Sequence, residues 1–145
     1  MPKTGASKTR RRILVVDDEP SVCQAVKMML EFDDHSVDTA GSGSEALDKF
    51  DAGEFDLVIT DFDMPGMKGD KLALMLKERA EEVPVLMITA HAEMLSLPLK
   101  GIECVISKPF LLENLREAIR KSAVPRKRLN AKTKRPARRP RSKHD

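Results

Sequence analysis

Residues 55–66 read FDLVITDFDMPG: an apolar run suited to a buried strand, stopped by Asp61 and Asp63 just ahead of a Met-Pro-Gly turn. Leaving an unpaired carboxylate in such a place costs several kcal/mol, so the position calls for a cationic partner, a metal ion or contact with water. The remainder of the chain supplies the context. Ile13 to Val16 is a similar short run closed by Asp17-Asp18-Glu19, Pro84 to Thr89 another ending in Thr89-Ala90, and Ile102 to Ile106 a third ending in Ser107-Lys108-Pro109. Between them lie segments with helical spacing. Val22, Ala25, Val26, Met29 and Leu30 follow Pro20, which suits a first helical turn. Ala46, Leu47 and Phe50 follow a candidate cap at Ser42 or Ser44 and stop at Gly53, while Leu72 to Leu76 and Leu111 to Lys121 carry two more helices. His35 to Ala40 is a more polar run fit for an edge strand, and Glu93 to Leu97 suits a short helix that Pro98 limits.

Strands alternating with helices, and apolar along their whole length, predict an α/β fold. The sheet is doubly wound, with five parallel strands covered on both faces. Ligands of such sheets gather at the carboxyl ends of the strands. That rule puts Asp17-Asp18-Glu19, Asp61, Thr89 and Lys108 on one edge. A helix-capping role would account for the first acidic group alone, but not for four clusters that coincide. Converging carboxylates without His or Cys point to a hard divalent cation, Mg²⁺ with Mn²⁺ as the alternative. With a lysine and a hydroxyl beside them, they can accommodate a phosphoryl group on a nucleophilic aspartate.

These residues resemble the receiver domains of two-component response regulators. The matching stretches are VVDDEP at 15–20, ITDFDMPGMKG at 59–69, TA at 89–90 and SKPF at 107–110, in order, within residues 12–122. The resemblance implies a flavodoxin-like sheet of order 2-1-3-4-5 and a phosphorylation-controlled switch whose output runs through protein contacts. It implies Asp61 as phosphoacceptor, with Asp17, Asp18, Asp61 and the backbone carbonyl of Asp63 holding Mg²⁺. Thr89 corresponds to the switch hydroxyl, Lys108 to the phosphate-binding lysine, and Pro109 to a proline commonly preceded by a cis peptide. The implied donor is a sensor histidine kinase or phosphotransfer protein.

The chain departs from that pattern in three places. Val105 stands where many receivers carry an aromatic residue coupled to the switch hydroxyl, and the chain has no Tyr. The segment from Thr89 to Lys108 is about one helical turn short, and Asp63 adds a carboxylate beside the phosphoacceptor position, with His91 near the same mouth. Two alternatives follow: a phosphorylation-independent binding module with the receiver fold, and a haloacid-dehalogenase-type phosphatase using Asp61 and Asp63. Against the latter stand Pro65 and the lack of room for a cap domain.

Charge divides the chain of 145 residues into three. Residues 1–12 hold five basic and no acidic groups, and residues 125–145 hold ten basic groups against Asp145 alone. Taken from totals of 26 and 23, this leaves 11 basic against 22 acidic residues in 13–124. We expect one receiver domain over 12–122, a basic disordered arm over 1–11 and a basic disordered tail over 123–145. The tail is a candidate for non-specific nucleic-acid contact, and the acidic core and an anionic membrane surface are its other candidate partners. No helix-turn-helix pattern supports sequence-specific DNA recognition. Cys23 and Cys104 lie in apolar runs and read as buried reduced thiols; with no apolar run long enough for a membrane span, a cytoplasmic protein is expected.

Overall fold

The computed structural model describes residues 10–95 and 99–122. Five parallel strands form one sheet: β1 Arg12–Val16, β2 Ser36–Ala40, β3 Leu57–Asp61, β4 Val85–Thr89 and β5 Cys104–Ser107. Their spatial order is β2-β1-β3-β4-β5, the expected 2-1-3-4-5. The helices are α1 Pro20–Phe32, α2 Gly43–Ala52, α3 Gly69–Arg79 and α4 Leu112–Ser122. No helix among the described residues is long and apolar enough to cross a membrane.

The period-two geometry of a strand explains why the central runs are apolar throughout. On one face Leu14, Val16, Val58 and Val85 pack with Ala46, Leu47 and Phe50 of α2 and with Leu72, Ala73 and Leu76 of α3. On the other, Ile13, Val15, Ile59, Leu86 and Ile106 meet Cys23, Val26 and Leu30 of α1 and Leu115, Ala118 and Ile119 of α4. Each large side chain so buried contributes about 1.5–3 kcal/mol over exposure.

Local signals set the ends of several elements. Pro20 opens α1, where a missing N–H costs nothing. Of the two candidate caps for α2, Ser42 is the one used: its Oγ accepts from the Glu45 backbone N–H at 3.1 Å. Strand β5 begins two residues later than expected, because Gly101 turns the chain with φ +82°. Glu103 then sends its carboxylate to the Val85 N–H at 2.8 Å. Of the short helix expected at Glu93–Leu97, the described residues show a 3₁₀ turn, Ala92–Met94; Ser96, Leu97 and Pro98 lie outside the described residues. Cys23 is buried as expected, whereas Cys104 is half-buried at the start of the edge strand β5, and both are free thiols.

Of the N-terminal arm, Arg10 and Arg11 are described and bonded to the loop between α1 and β2. Arg10 Nε donates to the Asp34 carbonyl at 3.0 Å, and the Arg11 N–H to His35 Nδ1 at 3.0 Å. The Arg11 carbonyl accepts from the Ser36 N–H at 2.9 Å. Residues 1–9 and the tail 123–145 lie outside the described residues.

Candidate functional site

Parallel pairing places the carboxyl ends of β1, β3, β4 and β5 side by side, and each delivers one functional group. Asp17 follows β1, Asp61 is the last residue of β3, Thr89 the last of β4, and Lys108 follows β5. The register makes this inevitable once the strands are aligned: Asp61 pairs with Ile88, and Thr89 with Ser107. The ladder runs one step further, with the Lys108 N–H donating to the Thr89 carbonyl at 2.8 Å and the Phe62 N–H to the Ile88 carbonyl at 3.1 Å. The Lys108–Pro109 peptide is cis.

Asp17, Asp18 and Asp61 form a cluster in which one carboxylate oxygen from each lies within 4.8 Å of the others. Asp17 and Asp61 are buried, at 4% and 6% exposure, and Asp18 faces solvent. Such a mixture lets a ligand enter from water yet holds two of its contacts in a low-dielectric setting. Asp17 is fixed by its own turn, since its Oδ1 accepts from the Glu19 N–H at 2.9 Å. Beneath it, the buried Cys23 thiol donates to the Asp17 carbonyl at 3.3 Å. Burial, with the Asp17 charge adding to it, pushes the Cys23 thiol up from its ordinary value, so it stays protonated and can donate.

Lys108 Nζ lies 3.0 Å from Asp61 Oδ1 and 3.6 Å from Asp17 Oδ2. Burial pushes the Asp61 carboxyl up from the usual range. Its hydrogen bond to Lys108 opposes that push, and the charges of Asp17 and Asp18 add to it. Burial by itself would lower Lys108, but its hydrogen bond and charge interactions with Asp61, joined by Asp17, raise it. One ammonium therefore serves three carboxylates incompletely. The donor set, all hard oxygen, fits Mg²⁺, whose charge would hold all three ionised and release Lys108 for another anion.

Thr89 is 1% exposed, and its Oγ1 accepts from the His91 N–H at 3.0 Å. An accepting bond leaves the hydroxyl proton available as a donor. The His91 side chain is exposed. Asp63 lies apart from the cluster as a side chain: its Oδ1 pairs with Lys68 Nζ at 3.3 Å, both more than half exposed. An Asp63 carboxylate so engaged gives no support to a phosphatase acid. Val105 sits within β5 opposite Met87, half-buried.

Gly69 has a role that the motifs do not reveal. A Cβ there would lie 2.3 Å from the Asp61 carbonyl oxygen and 3.0 Å from Phe62 Cα, so the first turn of α3 touches the backbone that carries Asp61. The approach is closed by the Gly69 N–H donating to the Phe62 carbonyl at 3.0 Å. The sequence signal was present, a glycine opening a helix just after the Met-Pro-Gly loop, but it gives no partner. The Thr60 hydroxyl also serves the loop by donating to the Asp61 carbonyl at 2.9 Å.

The response regulator receiver domain family matches residues 13–120. The chain belongs to this family. It is 34% identical over 116 residues to the chemotaxis protein CheY of Pseudomonas aeruginosa, a match covering 76% of this chain and 94% of that one. It is 33% identical over 122 residues to the transcriptional regulatory protein TcrA of Mycobacterium tuberculosis, of which the chain spans only about half, 48%. Among solved structures, the response regulator TrrA of Thermotoga maritima in complex with Mg²⁺ and BeF superposes with TM-score 0.72 at 35% identity, covering 77% of this chain and 97% of that one. TrrA has also been solved in complex with the histidine kinase ThkA. The receiver is a phosphorylation-controlled signalling switch rather than a metabolic enzyme, and the acidic cluster suits the Mg²⁺ that such domains bind.

Proposed function

We propose that Asp61 is the phosphoacceptor of this receiver and takes its phosphoryl group from a phosphohistidine on a sensor kinase or phosphotransfer protein. The observation that carries this reading is the convergence of Asp17, Asp18 and Asp61 on one cation-sized space with Lys108 Nζ 3.0 Å from Asp61. In the transfer, an Asp61 carboxylate oxygen bonds to phosphorus as the donor's nitrogen–phosphorus bond breaks, and the donor imidazole keeps the electron pair and takes a proton. Asp17, Asp18, Asp61 and the Asp63 carbonyl would hold a divalent cation, Mg²⁺ or in its place Mn²⁺, which would neutralise charge on the phosphoryl oxygens. Lys108 exchanges its bond to Asp61 for one to a phosphoryl oxygen, and the Thr89 O–H donates to another. Burial of Asp61 keeps bulk water from the acyl phosphate.

The domain acts in the cytoplasm through a downstream protein target, with no aromatic residue at Val105 to couple to Thr89. Non-specific contact of the basic tail with nucleic-acid phosphates belongs to the same reading. Intact mass after incubation with Mg²⁺ and acetyl phosphate tests the chemistry. A single phosphoryl adduct is expected, absent in Asp61→Asn and after chelation; an adduct that persists in Asp61→Asn would place the acceptor elsewhere. A second reading is a receiver-like binding module that works without phosphorylation, favoured by Val105 and by the 3₁₀ turn, rather than a longer helix, that the described residues after Thr89 show. Partner binding unchanged in Asp61→Ala would favour it.

A further inference from the structure

Helix α1 begins without the side-chain cap that commonly ties a helix to the turn before it. Glu19 occupies the cap position and its side chain makes no cap hydrogen bond. The turn it closes carries Asp17 and Asp18, two of the three clustered carboxylates. A different side chain ties that turn to the helix. Cys23, the fourth residue of α1, points back over the preceding turn as helical side chains do. Its Sγ lies 3.3 Å from the Asp17 carbonyl oxygen and 3.7 Å from that of Ala40, the last residue of β2. The Ala40 carbonyl also accepts the Asp17 N–H at 3.1 Å, so the thiol, the Asp17 backbone and the end of β2 close one small network.

The Asp17 carbonyl belongs to the planar peptide that joins Asp17 to Asp18. A donor on that oxygen sets the tilt of the plane, and with it the direction in which each carboxylate leaves the chain. The Asp17 carboxylate is engaged as well, with Oδ1 accepting the Glu19 N–H at 2.9 Å and Oδ2 3.6 Å from Lys108 Nζ. Asp18 is exposed, so the backbone decides its direction more than packing does. Cys23 itself is 6% exposed and lies in the apolar cluster that contains Val15, Val26 and Val37. Its bond is therefore made where water cannot take its place.

We propose that Cys23 is a positioning residue for the cation site: its thiol orients the peptide between Asp17 and Asp18 so that both carboxylates meet on one divalent ion. The inference rests on the reading of Asp17, Asp18 and Asp61 as that site, and it gives Cys23 no contact with the ion or with the phosphoryl group. Groups that act on a metal by orienting its ligands typically change affinity by about 10–100-fold. Cys104, the other free thiol, is the internal control, because it lines a different groove with Val105, Asn114 and Lys121.

Denaturant midpoints of the full chain, followed by circular dichroism over a series of MgCl₂ concentrations, give an apparent Mg²⁺ dissociation constant, since an ion that binds the folded state raises the midpoint. Cys23→Val keeps the apolar volume and removes the donor. It should stay near the parent in stability without Mg²⁺, yet bind Mg²⁺ ~10-fold more weakly. Cys23→Ala should lose the same affinity on top of a lower midpoint. Cys23→Ser keeps a donor on a shorter arm, and should fall between Cys23→Val and the parent in affinity while being less stable than Cys23→Val. Cys104→Ala should bind Mg²⁺ as the parent does. A Cys23→Val variant that binds as tightly as the parent would make Cys23 a packing residue and overturn the proposal, and so would a Cys23→Ser variant that binds no better than Cys23→Val. A parent whose midpoint ignores Mg²⁺ would overturn the cation site together with this inference, whereas undiminished binding in Cys23→Val removes the inference alone.

Discussion

The two edges of the sheet handle charge in opposite ways. At the carboxyl edge, Asp17 and Asp61 are buried with a single ammonium between them, and burial drives the Asp61 carboxyl upward. At the amino edge, Asp33 and Arg116 satisfy one another, and the hydrogen bonds from Arg116 hold Asp33 below the usual carboxylate range. The first arrangement sacrifices stability to hold carboxylates together at the mouth of the sheet; the second joins α4 to the end of α1. Substitutions at the two edges should therefore differ in sign as well as in size.

The largest effect is expected at Gly69, where the site edge is most crowded. A methyl group placed 2.3 Å from the Asp61 carbonyl cannot be relieved by turning a side chain, since backbone stands on both sides. Gly69→Ala should cost about 1–3 kcal/mol in chemical denaturation, as overpacking does elsewhere. It should also shift Asp61 enough to slow adduct formation in the acetyl phosphate assay. Unchanged stability with unchanged phosphorylation would mean that α3 can retreat from the loop without consequence. At the opposite edge, Asp33→Ala breaks a partly buried bidentate pair and should cost about 1–2 kcal/mol. Phosphorylation should proceed normally in that variant, and this split separates the edges.

Much of this was readable from the sequence, and the reason is physical. Strands buried on both faces have to be apolar along their length, so the runs at Ile13–Val16, Leu57–Thr60 and Pro84–Thr89 stand out. Any polar residue closing such a run then falls on one edge. That is how Asp17, Asp61, Thr89 and Lys108 could be brought together from sequence alone. What escaped depends on approach between segments distant in sequence. The closeness of Gly69 to Asp61 needs the path of the loop, and the bond from the Arg11 N–H to His35 needs the pairing of β1 with β2. The later start of β5 follows from the turn at Gly101, and the half-burial of Cys104 from β5 being an edge strand exposed along one side, which apolar composition does not report.

A third prediction reverses the usual sign. Asp61→Asn removes a carboxylate that is buried beside Asp17 and Asp18, while Lys108 keeps Asp17 as a partner. In the absence of divalent cations the variant should be more stable than the parent by about 1 kcal/mol at neutral pH, seen as a higher denaturant midpoint. Adding Mg²⁺ should stabilise the parent and leave the variant almost unmoved, since the ion binds the folded parent alone. A variant less stable than the parent without Mg²⁺ would mean that the Asp61–Lys108 pair outweighs the repulsion within the cluster.

The smallest effect is expected from His35, and it sharpens the contrast between the edges through pH. His35 is buried, and burial lowers it from its ordinary value of 6.5. Its Nδ1 accepts the Arg11 N–H, a bond that a doubly protonated ring cannot make. A lowered folded-state value means that the unfolded chain binds more protons in this range, so stability rises with pH. The His35 contribution is complete above the unfolded value of 6.5 and is lost as pH falls toward the lowered folded value. Asp33 acts in the same direction, but only below its ordinary 3.8. Asp61, raised in the fold, acts in the opposite direction, with a contribution present below 3.8 and lost as pH rises through its raised value. The test therefore belongs in the Asp61→Asn background, where denaturation midpoints measured from pH 7.5 to 5 should fall by the equivalent of about 0.5–1 kcal/mol. His35→Gln in the same background should flatten that slope. A slope that survives the substitution would assign the pH sensitivity to other groups and leave the anchoring of the arm independent of pH.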